Sequence, residues 1–376
     1  MKIGILSMQR IVNYGSFLQS YGLKNILEEL GHEVEFVDYK IDKPLLASKG
    51  DKKNYYKEVV RNKMIDIVSN SKLLTKLLPE KHREVIENIN KYKTEFLPLI
   101  GVTERKNYNP KLDALIIGSD EVFNVFQKSS RVGYSLELLG KNNNANKLIS
   151  YAASFGNTSI DKIKSFSKRD EIRECLLQFD GISVRDENSS RIVTELTGIK
   201  PNSNFDPVLM YDFSKEIPVV NIKPGYVIVY AYRNRLSEND IQAIIEFAKS
   251  KNKKIIGLGG YQDFVDEYIN ASPFELLSYV KNADYVITDT FHGTIFSIIN
   301  HKKFVSLIRV SKDGSYGNQE KMEDLLNKFG LSSRGVYDPN QIKTIIDQEI
   351  DYNSVENIRK QGVKNTLAFL SEHLNK

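Results

Sequence analysis

The sequence predicts an α/β protein built from two Rossmann-like domains facing a cleft, with a helical insertion in the first domain and a closing C-terminal helix. Three observations carry this. Short apolar runs alternate with helix-like stretches, the grammar of stacked βαβ units on a parallel sheet. The alternation restarts after Asp206–Pro224, where Pro207, Pro218 and Pro224 punctuate a stretch of weak periodicity. Finally, 376 residues at ~150 per domain allow two to three domains with real cores. The expected domains are 1–212 and 213–376.

The elements follow in order. An apolar run, Lys2–Ser7, opens the chain as a strand. A helix is expected over Ser16–Leu30, where Phe17, Leu18, Tyr21, Leu23, Ile26, Leu27 and Leu30 make an apolar stripe and Gly31 supplies the stop. Glu33–Asp38, Asp113–Gly118, Lys147–Ser154 and Gly181–Val184 are the remaining strands of the first half. In the second half the strands are Tyr226–Ala231, Lys253–Leu258, Asp284–Thr288 and Lys303–Ile308. Helices are expected over Glu238–Lys251, Ser272–Val280 and Gly293–Ile299, with Ser272-Pro273 as an N-cap followed by proline at the first helical position. Val355–Leu374 is the terminal helix, with Ile358, Val363, Leu367, Leu370 and Leu374 as its stripe.

Composition excludes several classes. A single cysteine, Cys175, rules out a disulfide framework and a cysteine zinc site. No run of about 18 apolar residues is available to span a bilayer, and the N-terminus has no secretory pattern. The expectation is a cytoplasmic protein. Its net charge of +5 is unevenly placed: residues 40–106 hold 16 Lys/Arg against 9 Asp/Glu, so the rest of the chain is slightly acidic. That segment has helical patterning (Val59, Val60, Met64, Ile65, Ile67, Val68, then Leu73, Leu74, Leu77, Leu78) and no convincing strand, which makes it the insertion. It carries no nucleic-acid motif, and no nucleic-acid partner is expected.

Ligands of parallel α/β sheets bind beyond the carboxyl ends of strands, which selects a few loops. After the first strand comes Arg10-Ile-Val-Asn-Tyr-Gly-Ser16. Gly15 permits close backbone approach and the helix start suits an anion; equally, Asn13 and Gly15 shape a turn that Ser16 caps. After the third strand, Gly118-Ser-Asp120 presents a carboxylate to ligand hydroxyls, or else Asp120 caps the next helix. Arg185 ends a strand either as a phosphate or carboxylate clamp or as half of a surface pair with Asp186. The sharpest signal is Ala283-Asp-Tyr-Val-Ile-Thr-Asp-Thr-Phe-His-Gly-Thr294. An apolar strand runs into Thr288, Asp289 and Thr290, and His292 follows at the strand-to-helix junction with Gly293 clearing space beside it. A histidine there is a candidate general acid or base. His32, His82, His301 and His373 form no metal set, and no metal is expected. Walker, Gly-x-Gly-x-x-Gly, His-Glu-x-x-His and Gly-x-Ser-x-Gly motifs are all missing.

Taken together, these segments resemble the polysaccharide pyruvyl transferase family. Asn13-Tyr-Gly-Ser-Phe-Leu-Gln-Ser-Tyr-Gly22 is similar to its opening Asn-Tyr-Gly-Ala-x-Leu-Gln segment. Gly118-Ser-Asp-Glu-Val-Phe-Asn124 is similar to its Gly-Ser-Asp-Gln-x-Trp-Asn loop, with Phe123 in the Trp place. Ser150-Tyr-Ala-Ala-Ser-Phe-Gly156, Ser183-Val-Arg-Asp186, Asp206-Pro-Val208 and Thr288-Asp-Thr-Phe-His-Gly293 follow in the family's order. The resemblance implies a GT-B-like fold and transfer of pyruvate from phosphoenolpyruvate to a sugar of a cell-surface or exopolysaccharide precursor. The product is a cyclic ketal, phosphate leaves, and phosphoenolpyruvate is a donor substrate with no cofactor required. By the same resemblance His292, Arg185 and Asp120 are the catalytic candidates: His292 for proton transfer and Arg185 for holding the anionic donor. Asn13, Tyr14, Gly15, Ser119, Thr288, Thr290, Gly293 and Lys321 are the substrate-binding candidates.

One departure stands out. Where many members carry Arg two residues before the His, this chain has Thr290. Lys312, Lys321 and Arg309 are the cations that stand to replace it. The departure leaves room for a GT-B glycosyltransferase taking a nucleotide-sugar near Gly257–Tyr261, and for a non-catalytic scaffold. The acceptor is expected to be a saccharide, with a lipid-linked form as one candidate. The basic insertion is then a candidate for peripheral contact with the inner face of the membrane, against the alternative of a solvated lid.

Overall fold

Every strand is parallel to its neighbours, and the strands fall into two six-stranded sheets. The computed structural model describes residues 1–46, 49–310 and 317–374. Contacts group Met1–Val12, Ser16–Pro207 and the chain from Thr366 onward into one unit, and Asn13–Gly15 with Val208–Asn365 into the other.

The first unit holds β1 (Lys2–Leu6), β2 (Glu33–Phe36), β3 (Lys111–Asp120), β4 (Asn144–Ala153), β5 (Gly181–Val184) and β6 (Asn202–Ser203), in the order β2-β1-β3-β4-β5-β6. Its helices are α1 (Tyr14–Glu29), α2 (Lys49–Ser69), α3 (Lys72–Leu77), α4 (Glu80–Lys91), α5 (Ile160–Ser165), α6 (Arg169–Leu176) and α7 (Glu187–Thr197), with α1 starting in the segment that groups with the second unit. Phe17, Leu18, Leu23, Ile26 and Leu27 of the α1 stripe are buried, whereas Leu30 lies past the helix end and is exposed. Gly31 takes the positive φ (86°) of a stop. The insertion is helical, as expected: α2, α3 and α4 occupy it, followed by two short irregular turns.

The second unit contains α8 (Pro207–Met210), whose first residue closes the first unit, then β7 (Tyr226–Ala231), α9 (Glu238–Ser250), β8 (Lys254–Gly259), β9 (Glu267–Tyr268) and α10 (Pro273–Asn282). It continues with β10 (Tyr285–Thr288), α11 (Phe291–Ile299), β11 (Lys303–Leu307), α12 (Gln319–Lys328), β12 (Gly335–Val336), α13 (Ile342–Ile346) and α14 (Tyr352–Leu374), whose residues from Thr366 on belong to the first unit. The strand order is β12-β11-β10-β7-β8-β9. All six residues of β7 are buried, the continuous apolar run expected of a strand covered on both faces. Its core joins Val227, Val229, Ile287, Val305 and Leu307 to Ile244 and Phe247 of α9, each such side chain contributing roughly 1.5–3 kcal/mol by burial. Ser237 and Ser272 each close a capping box, with Asp240 and Glu275 returning the bond, and Pro273 sits at the first turn of α10.

In both sheets the order in which strands are added reverses once. In the first, β1 pairs with β2 on one side and β3 on the other; in the second, β7 pairs with β8 and β10. The carboxyl ends of β1 and β3, and of β7 and β10, are therefore the switch points at which parallel sheets bind ligands. No helix among the described residues is long and apolar enough to cross a membrane.

Candidate active site

At the switch point of the first unit a buried ion network gathers. The β3 strand ends in Ser119 and Asp120, the latter at φ 79°, a conformation that few residues other than glycine adopt. Its carboxylate accepts from Ser16 Oγ (2.8 Å), from the Glu121 N–H (2.9 Å) and from Arg185 Nη2 (3.4 Å). Arg185, 5% exposed, also donates through Nη1 to Asp206 Oδ2 at 3.1 Å. The two carboxylates beside it hold the guanidinium above its ordinary pKa, against the pull of burial. Ser119 is fully buried, with its hydroxyl 3.2 Å from the Ala152 carbonyl and 3.3 Å from Asp206.

This geometry replaces both local readings of these residues. Asp186 makes no surface pair; it caps α7, accepting from the Ser189 N–H at 2.8 Å and from the Ser154 hydroxyl at 2.5 Å. Asp120 caps no helix, and Ser16 lies within α1 and binds Asp120 instead of capping it. With one guanidinium between two carboxylates, the cluster is anionic overall.

The second unit assembles its own group. Thr288, the last residue of β10, donates to the Tyr230 carbonyl (2.7 Å) and lies 3.0 Å from the Thr290 hydroxyl. Thr290 is the N-cap of α11, accepting from the Gly293 N–H at 2.9 Å. A threonine suits that cap and an arginine does not, which gives the departure at this position a local physical reason. Gly293 clears no space for a ligand: a side chain there would strike Thr288, Thr290 and the Tyr230 ring. His292, half-buried on the first turn of α11, lies 6.2 Å from Phe296 between ring centroids. A Cβ at position 15 would overlap the His292 imidazole, so Gly15 is what lets the ring lie against this backbone. Tyr14 is buried, donating to the Ala271 carbonyl at 2.8 Å, and burial pushes its phenol far up.

Asp289, between the two threonines, is fully buried, and neither carboxylate oxygen has a hydrogen-bond partner among the described residues. Burial pushes its pKa up to about 6, although the fields of Arg235, Arg309 and Lys321 pull the other way. Arg309 pairs with Asp240 (2.7 Å), and the Arg235 guanidinium stacks on Tyr232 (4.4 Å). Asn318, 2% exposed, ties the loops after β10 and β11 together by donating to the Asp289 and Leu307 carbonyls (2.7 and 3.0 Å). Lys312 lies outside the described residues.

The model of one family, described as polysaccharide pyruvyl transferase, matches residues 13–309. The chain belongs to the polysaccharide pyruvyl transferase family. The matched span contains both switch-point groups except Lys321 and Asn318. A pyruvyl transferase is a transferase of polysaccharide biosynthesis, and this chain is one by membership. Among curated proteins none matches its sequence.

Solved structures add the fold. The chain is similar to a structure titled S. aureus MnaA-UDP co-structure, with TM-score 0.54 and 12% identity over 100% of this chain and 97% of that one. It also matches a putative UDP-N-acetylglucosamine 2-epimerase from Listeria monocytogenes, with TM-score 0.49 and 11% identity over 100% and 97%. At 12% identity the likeness to the first of these is of fold, and the pyruvyl transferase is GT-B-like: two parallel α/β units in one chain.

Of the residues singled out in the transferase's sequence, the first unit brings together Asp120, Ser119 and Arg185; the second contains Asn13–Gly15, Thr288, Thr290, His292 and Gly293, and within it Gly15 lies against His292 and Gly293 against the two threonines. Lys321 stands on α12, a helix not among the expected elements although Met322, Leu325, Leu326 and Phe329 recur at helical spacing. Asp206, Arg235 and Asn318 were missed. The Asp206-Pro-Val208 match was the one available signal for Asp206. Among the described residues no cluster of His, Cys, Asp and Glu is arranged to hold a metal.

Proposed function

We propose that this family member transfers the pyruvyl skeleton of phosphoenolpyruvate to two hydroxyls of a saccharide, forming a cyclic ketal. The observation that supports the reading best is His292: a half-buried imidazole seated against Gly15, at the switch point of the second sheet and inside the family match.

The atoms balance without a further reactant. Protonation of the methylene carbon makes it a methyl group and leaves an electrophilic C2. Two C–O bonds form there as the acceptor hydroxyls add, and the C2–O bond to phosphate breaks. Of the two hydroxyl protons released, one matches the proton gained by the methyl group. The other leaves on hydrogen phosphate. We assign His292 to proton delivery at the methylene. Asp120, oriented by Ser16 and Arg185, is assigned to accept a hydroxyl proton. Arg185, with its charge already balanced by two carboxylates, acts on this reading by positioning Asp120. The cations Arg235, Arg309 and Lys321 are assigned to the donor's carboxylate and phosphate, in the role left open by Thr290. A well-placed cation in such a site supplies on the order of 3 kcal/mol of transition-state stabilisation.

The test is incubation with phosphoenolpyruvate and a glycan panel, reading phosphate release and ketal mass. His292→Ala should lower turnover by about 10²–10⁴ with the fold intact. Unchanged turnover removes His292 from the mechanism. Binding of UDP without phosphoenolpyruvate binding favours the glycosyltransferase alternative.

A further inference from the structure

The helical insertion turns an apolar, basic face to solvent. Along α2, Tyr56, Val60, Met64 and Ile67 are 66%, 52%, 61% and 62% exposed, and on α3 Leu73 and Leu77 are 71% and 74% exposed. The spacing of the first four puts them on one stripe of a helix that turns about 100° per residue. Large apolar side chains gathered this densely outside a core mark an interaction surface.

Charge is sorted across the same helix. All three acids of α2 face the loop at 128–131 of their own unit: Asp51 pairs with Lys128 (2.7 Å), Glu58 accepts from Ser129 Oγ (3.0 Å) and the Ser130 N–H (3.2 Å), and Asp66 pairs with Arg131 (3.0 Å). Lys53, Lys57, Arg61 and Lys63 flank the apolar stripe on the opposite side, and Lys72 and Lys76 accompany the leucines of α3; all six are exposed. The inward face thus carries the acids and the outward face carries only cations among its charged groups.

We propose that the outer face of α2 and α3 docks on an anionic lipid surface, with the apolar stripe entering the headgroup region and the lysines meeting lipid phosphates. Charge complementarity selects this occupant. A second copy of this face, which bears the same positive charge, lacks that match. A helix with apolar residues on one line and basic residues beside them is the physical form of an interfacial helix. The proposal is independent of the reaction assigned above, because its readout is lipid binding alone.

Co-sedimentation with vesicles of phosphatidylcholine alone, and of phosphatidylcholine mixed with phosphatidylglycerol, tests it. The full chain should pellet with the mixed vesicles at low salt, less at high salt, and poorly with the neutral ones. Lys57→Ser and Arg61→Ser should each weaken binding about fivefold, the factor equivalent to about 1 kcal/mol per basic side chain. Met64→Asp with Leu77→Asp should abolish binding while circular dichroism stays unchanged, since both side chains are exposed. Equal binding to neutral vesicles, or binding untouched by the double variant, overturns the proposal. So does self-association that the double variant removes, in a protein that pellets with neither vesicle.

Discussion

Replacing Asp289 by asparagine tests the energetics of the second switch point directly. The carboxyl is buried, its oxygens lack hydrogen-bond partners among the described residues, and its pKa is raised from 3.8 to about 6. A carboxyl shifted upward holds its proton more tightly folded than unfolded. The protein therefore loses stability as pH rises from about 4 to about 6, and the loss is complete above that window. A shift of about two units at 1.36 kcal/mol each makes the total about 3 kcal/mol. The side-chain amide of the variant carries no charge at any of these values. The stability difference, Asp289→Asn minus wild type, should accordingly grow by about 2 kcal/mol between about pH 4 and pH 7.5, the remainder of the total falling below pH 4. Urea unfolding followed by hydrogen–deuterium exchange of β10 and α11 peptides reads it within the second unit. A difference that stays flat across the window would falsify the claim that burial outweighs Arg235, Arg309 and Lys321.

Other changes probe the remaining contacts. Gly15→Ala should push the His292 ring aside, costing about 1–3 kcal/mol as overpacking does and lowering turnover; an unchanged melting temperature and rate would contradict the placement of the ring. Thr290→Ala should lose about 1 kcal/mol through the missing cap of α11, with Thr290→Ser retaining most of it. If both variants melt like wild type, the cap is of no consequence. Arg185→Met leaves Asp206 and Asp120 uncompensated and should destabilise by about 3–5 kcal/mol, measured by urea unfolding; pairing it with Asp206→Asn should recover part of the loss.

The sheets were readable because a parallel strand covered on both faces must be apolar throughout. Tyr226–Ala231 is a strand residue for residue, and the second-half strands came within one or two positions of their observed ends. The edge strands β6, β9 and β12, two residues each, were not readable, since no periodicity develops over so short a run. At the sites, position was legible and partnership was not. Arg185 looked free to meet either a ligand or its neighbour Asp186, yet its partners lie 21 and 65 positions away. Thr290 stood out as a lost charge, whereas its use as a cap required knowing that α11 begins at Phe291. The apolar residues of α2 have the spacing of a core helix, and only the fold shows that Val60, Met64 and Ile67 point outward while Val59, Ile65 and Val68 are half-buried.

The closing turns of α14 have a consequence for synthesis. Within the first unit, Thr366 Oγ1 accepts from the Phe205 N–H at 3.2 Å, Lys147 donates to the His373 carbonyl at 3.0 Å, and a side chain at Gly181 would run into the His373 ring. These contacts come from residues translated after the whole of Val208–Asn365. At 5–20 residues per second, the nascent first unit waits roughly 10–30 s for its last piece. During that interval the β4–β5 region lacks its covering helix, while the strands of the second unit are still being made. A chain released with its end before Thr366 would therefore hold every residue of the second unit and an unfinished first one, the reverse of the order in which their strands were made.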